Sequence, residues 1–145
     1  MEKGYSNLRK GRFSEVGRPY HVVFSTLDRK PYFNHFSHAR SLIRLMNGRE
    51  FDSRLDSLAY VVMPDHVHWL LALKEGGLSQ IVQRLKSFFT KDVGENIWNK
   101  GFYDHTIRSD ESLINEARYI MANPLRAGLV DRVGDYPHWD SAWLE

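Results

Sequence analysis

The chain's 145 residues, 42% hydrophobic and 26% charged, suffice for one globular domain with a single core, and its formal charge of +2 is too small to identify a partner. Having no cysteine, it excludes disulfides, thiolate nucleophiles and cysteine-type zinc sites together, so any metal must be held by nitrogen and oxygen. No apolar run approaches the roughly 20 residues that span a bilayer, and the opening MEKGYSNLRKGR lacks the apolar core of a secretory signal, so the expectation is a cytoplasmic protein without a membrane partner.

Lys3, Arg9, Lys10, Arg12 and Arg18 crowd residues 1–18, with Tyr5 and Phe13 among them. This segment reads either as an arm for a phosphate backbone, with rings for unpaired bases, or as a solvated terminus. Tyr20 to Thr26, YHVVFST, is rich in β-branched and aromatic residues and predicts a first strand, broken at Asp28 to Pro31. Ser37 offers a cap to a helix reaching about Asn47, with Ala39, Leu42, Ile43 and Met46 on one side and Gly48 as its stop. Leu55 to Val62 predicts a second strand. Pro64 and Asp65 then turn the chain into a third, His66 to Leu73, making an antiparallel hairpin in which Asp65 suits a backbone-capping role.

From Ser79 to about Asp92, apolar residues recur at Ile81, Val82, Leu85 and Phe88 or Phe89, the spacing of an amphipathic helix. Its opposite side carries Arg84 and Lys91, placed for a nucleic-acid backbone or, more often in such helices, for solvent. A fourth strand is expected around Phe102 to Ile107, where His105 and Arg108 either touch a ligand or cap the strand. The last helix runs from about Asp110 to Ala122 and stops at Asn123-Pro124. Residues 124–145 read as a tail packing back on the domain. Trp69, Trp98, Trp139 and Trp143 are assigned to core or tail packing rather than base stacking.

Strand, helix, strand, strand, helix, strand and an added helix make the split βαβ, ferredoxin-like plan: an α+β domain with an antiparallel sheet and both main helices on one face. Nothing suggests an internal repeat or a linker, so residues 1–145 read as a single domain. The second sheet face is left for use, and the plan by itself does not choose the use.

Along the third strand, His66 and His68 point to one face and Val67 to the other. Two positions along a strand separate their backbones by about 7 Å, a gap that converging imidazoles can bridge through one ion. An isolated pair of this kind is more often two structural histidines. On the last helix, at about 100° per residue, Leu113, Ile114, Ala117, Ile120 and Met121 share one arc of roughly 120° that faces the core. Tyr119 lies nearly opposite that arc, with Asn123 four residues on along the same side. They are either surface residues, or a phenol aimed at a metal-bound phosphate with an amide oxygen as a further ligand. In the second case a divalent ion, Mg²⁺ or Mn²⁺, polarises the phosphate while the tyrosine attacks it, and the bond energy kept in the aryl ester allows rejoining without ATP. His21, in the first strand, lies where it can approach such a site.

The blocks RKGRFSEVGRPYHVVFST, AYVVMPDHVHWLL, WNKGFYDHTIR and ARYIMANPLRAGLV, in this order, resemble the REP-associated tyrosine transposases. These are a branch of the single-tyrosine HUH nucleases, named for two histidines around a hydrophobic residue. The resemblance implies a ferredoxin-like nuclease that cuts single-stranded DNA beside a REP-type hairpin and leaves the 5′ phosphate on tyrosine. It matches His66 and His68 to the metal-binding pair, Tyr119 to the nucleophile and Asn123 to the third ligand, where many relatives outside the branch carry Gln. It also matches the basic N-terminal segment to the region that contacts the tetranucleotide at the hairpin foot. A monomer is the expected working unit. The rival readings are a catalytically silent hairpin-binding protein and an RNA-recognition module in which the histidine pair is accidental.

Overall fold

Strand β1 (Pro19–Ser25) sets the two-sided pattern of the domain: Tyr20, Val22 and Phe24 point to one face, and His21, Val23 and Ser25 to the other. In the computed structural model, which describes residues 14–143, β1 pairs antiparallel with β3 (His66–Leu73) and β4 (Tyr103–Thr106). The Pro64 and Asp65 turn joins β3 to β2 (Leu55–Val62), and β5 (Trp139–Ser141) pairs with the far edge of β2. The strand order is β4-β1-β3-β2-β5, a ferredoxin-like sheet of four strands with a fifth added.

Helices α1 (Phe36–Met46) and α2 (Leu78–Val93) cover the first face. Ala39, Leu42, Ile43 and Met46 from α1 and Ile81, Val82, Leu85 and Phe89 from α2 share one cluster with Tyr20, Val22, Phe24, Val67, Trp69 and Leu71. The rings of Phe33, Phe89 and Trp98 lie 5.6 to 5.7 Å apart within it. Burying each large apolar side chain there contributes roughly 1.5–3 kcal/mol, and the cluster supplies most of the fold's driving force.

Helix α3 (Asp110–Met121) crosses the other face. Ser109 caps it by accepting from the Ser112 backbone N–H at 3.1 Å, and Asp110 and Glu111 complement the positive end of its dipole. Ala117 and Ile120 pack with Ala59, Val61, Met63, Leu70, Ile107 and Tyr136 in a second, smaller cluster. The buried stripe of α3 is narrower than the expected arc, because the helix rests on the β2 side of the sheet rather than inside a two-sided core. Ile114 is accordingly 37% exposed.

Three local expectations change. Helix α1 starts at Phe36 after an extended His35, with no side-chain cap, so Ser37 lies inside the helix instead of capping it. Pro124 falls in the first turn of a new helical turn, Asn123–Arg126, where its missing N–H has no cost, so the chain turns rather than leaving helix altogether. Within the tail, Trp139–Ser141 form β5 against β2, a strand whose three residues are too few to show a strand period. Among the described residues, no helix is long and apolar enough to cross a membrane.

Candidate active site

His66 and His68 lie on the face of β3 that α3 also covers, opposite Ser25 and Val23 of β1. Their ring centroids are 4.9 Å apart with the planes at 72°. Each ring is held through Nδ1. Asp65 Oδ1 lies 2.8 Å from His66 Nδ1, and Asp65 Oδ2 accepts from Arg29 Nε at 2.9 Å. His68 Nδ1 lies 2.8 Å from His21 Nε2, and His21 Nδ1 lies 2.5 Å from Glu116 Oε2 on α3. These bonds leave Nε2 of His66 and of His68 without a partner among the described residues.

Burial, and then the neighbouring His21 and His66, push the His68 pKa down to about 2. Burial also lowers that of His21, outweighing the opposing pull of Glu116. Both imidazoles are therefore neutral near pH 7, the form in which a ring nitrogen binds metal. Burial works to raise the Asp65 pKa, yet the bonds and charges of His66 and Arg29 prevail and hold it below the usual carboxylate range. The Asp65 carboxylate thus engages two side chains, not the backbone-capping role expected of it. The Asp65 carbonyl takes the turn's backbone bond, from Thr26 N–H at 3.0 Å, which frees the carboxylate for His66. Asp28 and Arg29 both have a φ of 55°, a left-handed pair costing on the order of 1–2 kcal/mol each, and the strained turn carries the guanidinium to the rim beside His66.

Tyr119 is 57% exposed on α3, one turn beyond Glu116 and on the same side of the helix. The Arg126 guanidinium stacks 3.8 Å from the centre of its ring. Arg126 also adds to the positive field that keeps His68 unprotonated. Asn123 opens the helical turn that follows, and its Nδ2 donates to the Ile120 carbonyl at 3.1 Å, which orients the amide and leaves Oδ1 for another partner. Among the described residues, no three His, Cys, Asp or Glu side chains converge as a metal site. His21 does not supply a third ligand, because its Nε2 is turned to His68. Two imidazoles whose Nδ1 atoms are engaged and whose Nε2 atoms are open suit a divalent ion that would complete its shell with an amide oxygen, water or phosphate.

Of the basic residues singled out for DNA, Arg18 and Arg108 come together, lining a cleft of about 640 Å³ with Glu15, Ser109 and Asp110. Arg18 Nε also pairs with Glu15 at 2.6 Å. His105 is exposed on β4 directly across from His21. Arg84 and Lys91 sit on α2, across the sheet from the histidines, and Lys91 lines a separate cavity of about 580 Å³ with Lys86 and Trp98. Lys3, Arg9, Lys10 and Arg12 lie outside the described residues. Sequence reasoning missed Glu116, Arg29 and Arg126. The one available hint was the i, i+3 spacing of Glu116 and Tyr119 on a helix already suspected of facing the histidines.

The sequence profile of the family described as transposase IS200 like matches residues 16–123. The chain is 33% identical over 100 residues to a REP-associated tyrosine transposase of Escherichia coli K12, covering 67% of this chain and 58% of the relative. It is 30% identical over 100 residues to a Haemophilus influenzae protein described as of the same type, covering 57% of each. The chain thus spans little more than half the length of these two relatives. Among solved structures, it is similar to a REP-associated tyrosine transposase bound to a REP hairpin, with a TM-score of 0.74, 27% identity, and coverage of 88% of this chain and 79% of that one. The chain belongs to the IS200-like transposase family, and its likeness there is to the REP-associated tyrosine transposases.

Proposed function

We propose that the chain nicks and rejoins single-stranded DNA beside a hairpin, with Tyr119 as the nucleophile and His66, His68 and the Asn123 oxygen as ligands of Mg²⁺ or Mn²⁺. The observation that carries the reading is the pair of imidazoles with Nε2 unengaged, on the sheet face crossed by the helix that bears an exposed tyrosine. When bound, the ion would withdraw charge from a scissile phosphate and fix its orientation.

The chain's own residues supply the rest. Tyr119 Oη attacks phosphorus and forms the aryl ester, the 3′-oxygen leaves and takes up a proton, and the phenolic proton passes to solvent. The 5′ phosphate stays on Tyr119. Because the new diester keeps much of the energy of the broken one, the freed 3′-hydroxyl, or that of another strand, can reverse the step without ATP. Stacking by Arg126 restrains the phenol ring while its edge stays open. Arg29 at the rim and Arg18 and Arg108 in their cleft are the cations proposed to meet the DNA backbone, Arg29 and Arg18 each exchanging an ion pair, with Asp65 and Glu15, for a phosphate. A REP-type hairpin is the proposed substrate because a similar protein was solved bound to one. The proposed working unit is a monomer acting in the cytoplasm.

The test is a denaturing gel of a labelled single-stranded oligonucleotide carrying an imperfect REP-type hairpin, in Mg²⁺ or Mn²⁺. The wild type is expected to give a shifted covalent adduct and Tyr119→Phe none. The His66→Ala, His68→Ala double variant is expected to lose cutting while keeping hairpin affinity. A wild type that binds hairpins but forms no adduct with any of several divalent ions would make the protein a silent hairpin binder instead.

A further inference from the structure

We infer that Glu116 and His21 are positioning residues: the chain of contacts from Glu116 through His21 to His68 decides which nitrogen His68 offers to a metal, and fastens the tyrosine helix to the metal-binding strand. The inference rests on the nuclease reading for its purpose, but its geometry stands apart from it. Three secondary-structure elements meet in this chain. Glu116 comes from α3, His21 from β1 and His68 from β3, with contacts of 2.5 and 2.8 Å between them.

The direction of the bonds follows from donor and acceptor chemistry. An ionised carboxylate only accepts, so the hydrogen between Glu116 and His21 sits on His21 Nδ1. A neutral His21 then presents a lone pair at Nε2, and the contact with His68 requires the hydrogen to be on His68 Nδ1. His68 Nε2 is thereby left as a lone pair, the atom a metal needs. Without the carboxylate, His21 would revert to the Nε2–H form that free imidazole favours and would donate to His68 Nδ1. The His68 hydrogen would move to Nε2 and close the ligand position.

The same chain restricts where α3 can dock. His21 is 7% exposed and its ring lies 5.0 Å from that of His68, so the partner Glu116 reaches on this sheet face is a buried one. Tyr119 follows one turn later. A helix displaced enough to misplace the phenol also releases Glu116, and with it the ordering of His68. Asp65 holds the outer nitrogen of His66 in the same manner but from the neighbouring residue, so among the described residues it is the His68 arm that ties the tyrosine helix to the ligand pair.

Long-range ¹H–¹⁵N spectra of the imidazoles in metal-free, DNA-free protein test this directly. Wild type should show His68 as the Nδ1–H tautomer, and Glu116→Gln, whose side-chain oxygen can still accept from His21, should keep it. Glu116→Ala should move the hydrogen to Nε2. Mn²⁺ binding followed by electron paramagnetic resonance should weaken 10–100-fold in Glu116→Ala and less than tenfold in Glu116→Gln, with hairpin affinity changed less than twofold in both. A carboxylate that merely props the helix would move stability and leave the tautomer alone. Finding His68 as Nε2–H in the wild type, which requires no variant to fold, or an unchanged tautomer in Glu116→Ala, would overturn the inference. A wild type that nicks no hairpin would end the nuclease reading and leave the spectra to decide this one.

Discussion

On the face under α1 and α2, Val67, Trp69 and Leu71 of β3 meet Phe24, Phe33, Phe51 and Phe89, and nearly every buried atom is carbon. One residue over on the same strand, His66 meets Asp65 and His68 meets His21, which in turn holds Glu116, and these contacts are directed bonds. The first arrangement tolerates small shifts, because dispersion and burial are non-directional. The second does not, because each buried polar atom needs its partner at hydrogen-bond distance and an unmet one costs about 1–3 kcal/mol. The domain thus separates the face that makes it stable from the face that is arranged for chemistry, and a single period-2 strand serves both.

Trp69→Ala should separate the faces most sharply. Trp69 is fully buried, stands edge-on to Phe51 at 6.0 Å, and its indole N–H donates to Ser57 Oγ at 2.8 Å. Removing it leaves a cavity and an unpaired hydroxyl, and urea unfolding should show a loss of about 3–5 kcal/mol. Tyr119→Phe, by contrast, should unfold within about 0.5 kcal/mol of wild type while forming no adduct. A Tyr119→Phe protein as unstable as Trp69→Ala would show that the exposed phenol itself carries stability, beyond the Ala117 and Ile120 cluster beneath its helix.

Acid should weaken the second face. Free histidine takes up its proton near 6.5, whereas burial holds folded His68 to about 2. Below 6.5 the unfolded chain therefore binds more protons than the folded one, and stability falls as pH falls. It is full above 6.5 and drains toward pH 2, at up to about 1.4 kcal/mol per pH unit. Melting temperatures measured from pH 7.5 to 4.5 should show this slope, and His68→Asn should flatten it. An equal slope in the variant would place the titration elsewhere, with His21 and then His138, both lowered by burial, as the candidates.

The two faces were also unequally legible. The β2 and β3 hairpin, its Pro64 and Asp65 turn and the amphipathic α2 appear at nearly their expected bounds, because alternation and turn chemistry are local signals. Strand period and helical wheel marked His66, His68 and Tyr119 as candidates but left their structural readings open, and it was the resemblance that implied their roles. Glu116 did not: a glutamate in mid-helix looks like any solvated residue until the helix's docking angle is known, and that angle is set by Ala117 and Ile120 against β2. His21 could be placed only near the site, since its link to His68 depends on the register that sets Val23 opposite His68. Arg29 was hidden in a turn whose left-handed backbone no glycine announced.

The smallest effect should come from Arg126→Ala. An exposed cation over an aromatic ring contributes about 0.5–1 kcal/mol, so unfolding should shift by no more than that. The kinetic consequence should be larger, because the freed phenol ring samples more orientations and fewer of them point at phosphorus, so adduct formation should slow severalfold while hairpin affinity changes little. Arg126→Lys should restore charge without restoring rate, since an ammonium lacks the planar face that lies 3.8 Å from the Tyr119 ring. If lysine rescued adduct formation fully, Arg126 would be acting on the DNA or on His68 through its charge, and the histidine face would then depend on long-range field as much as on directed contact.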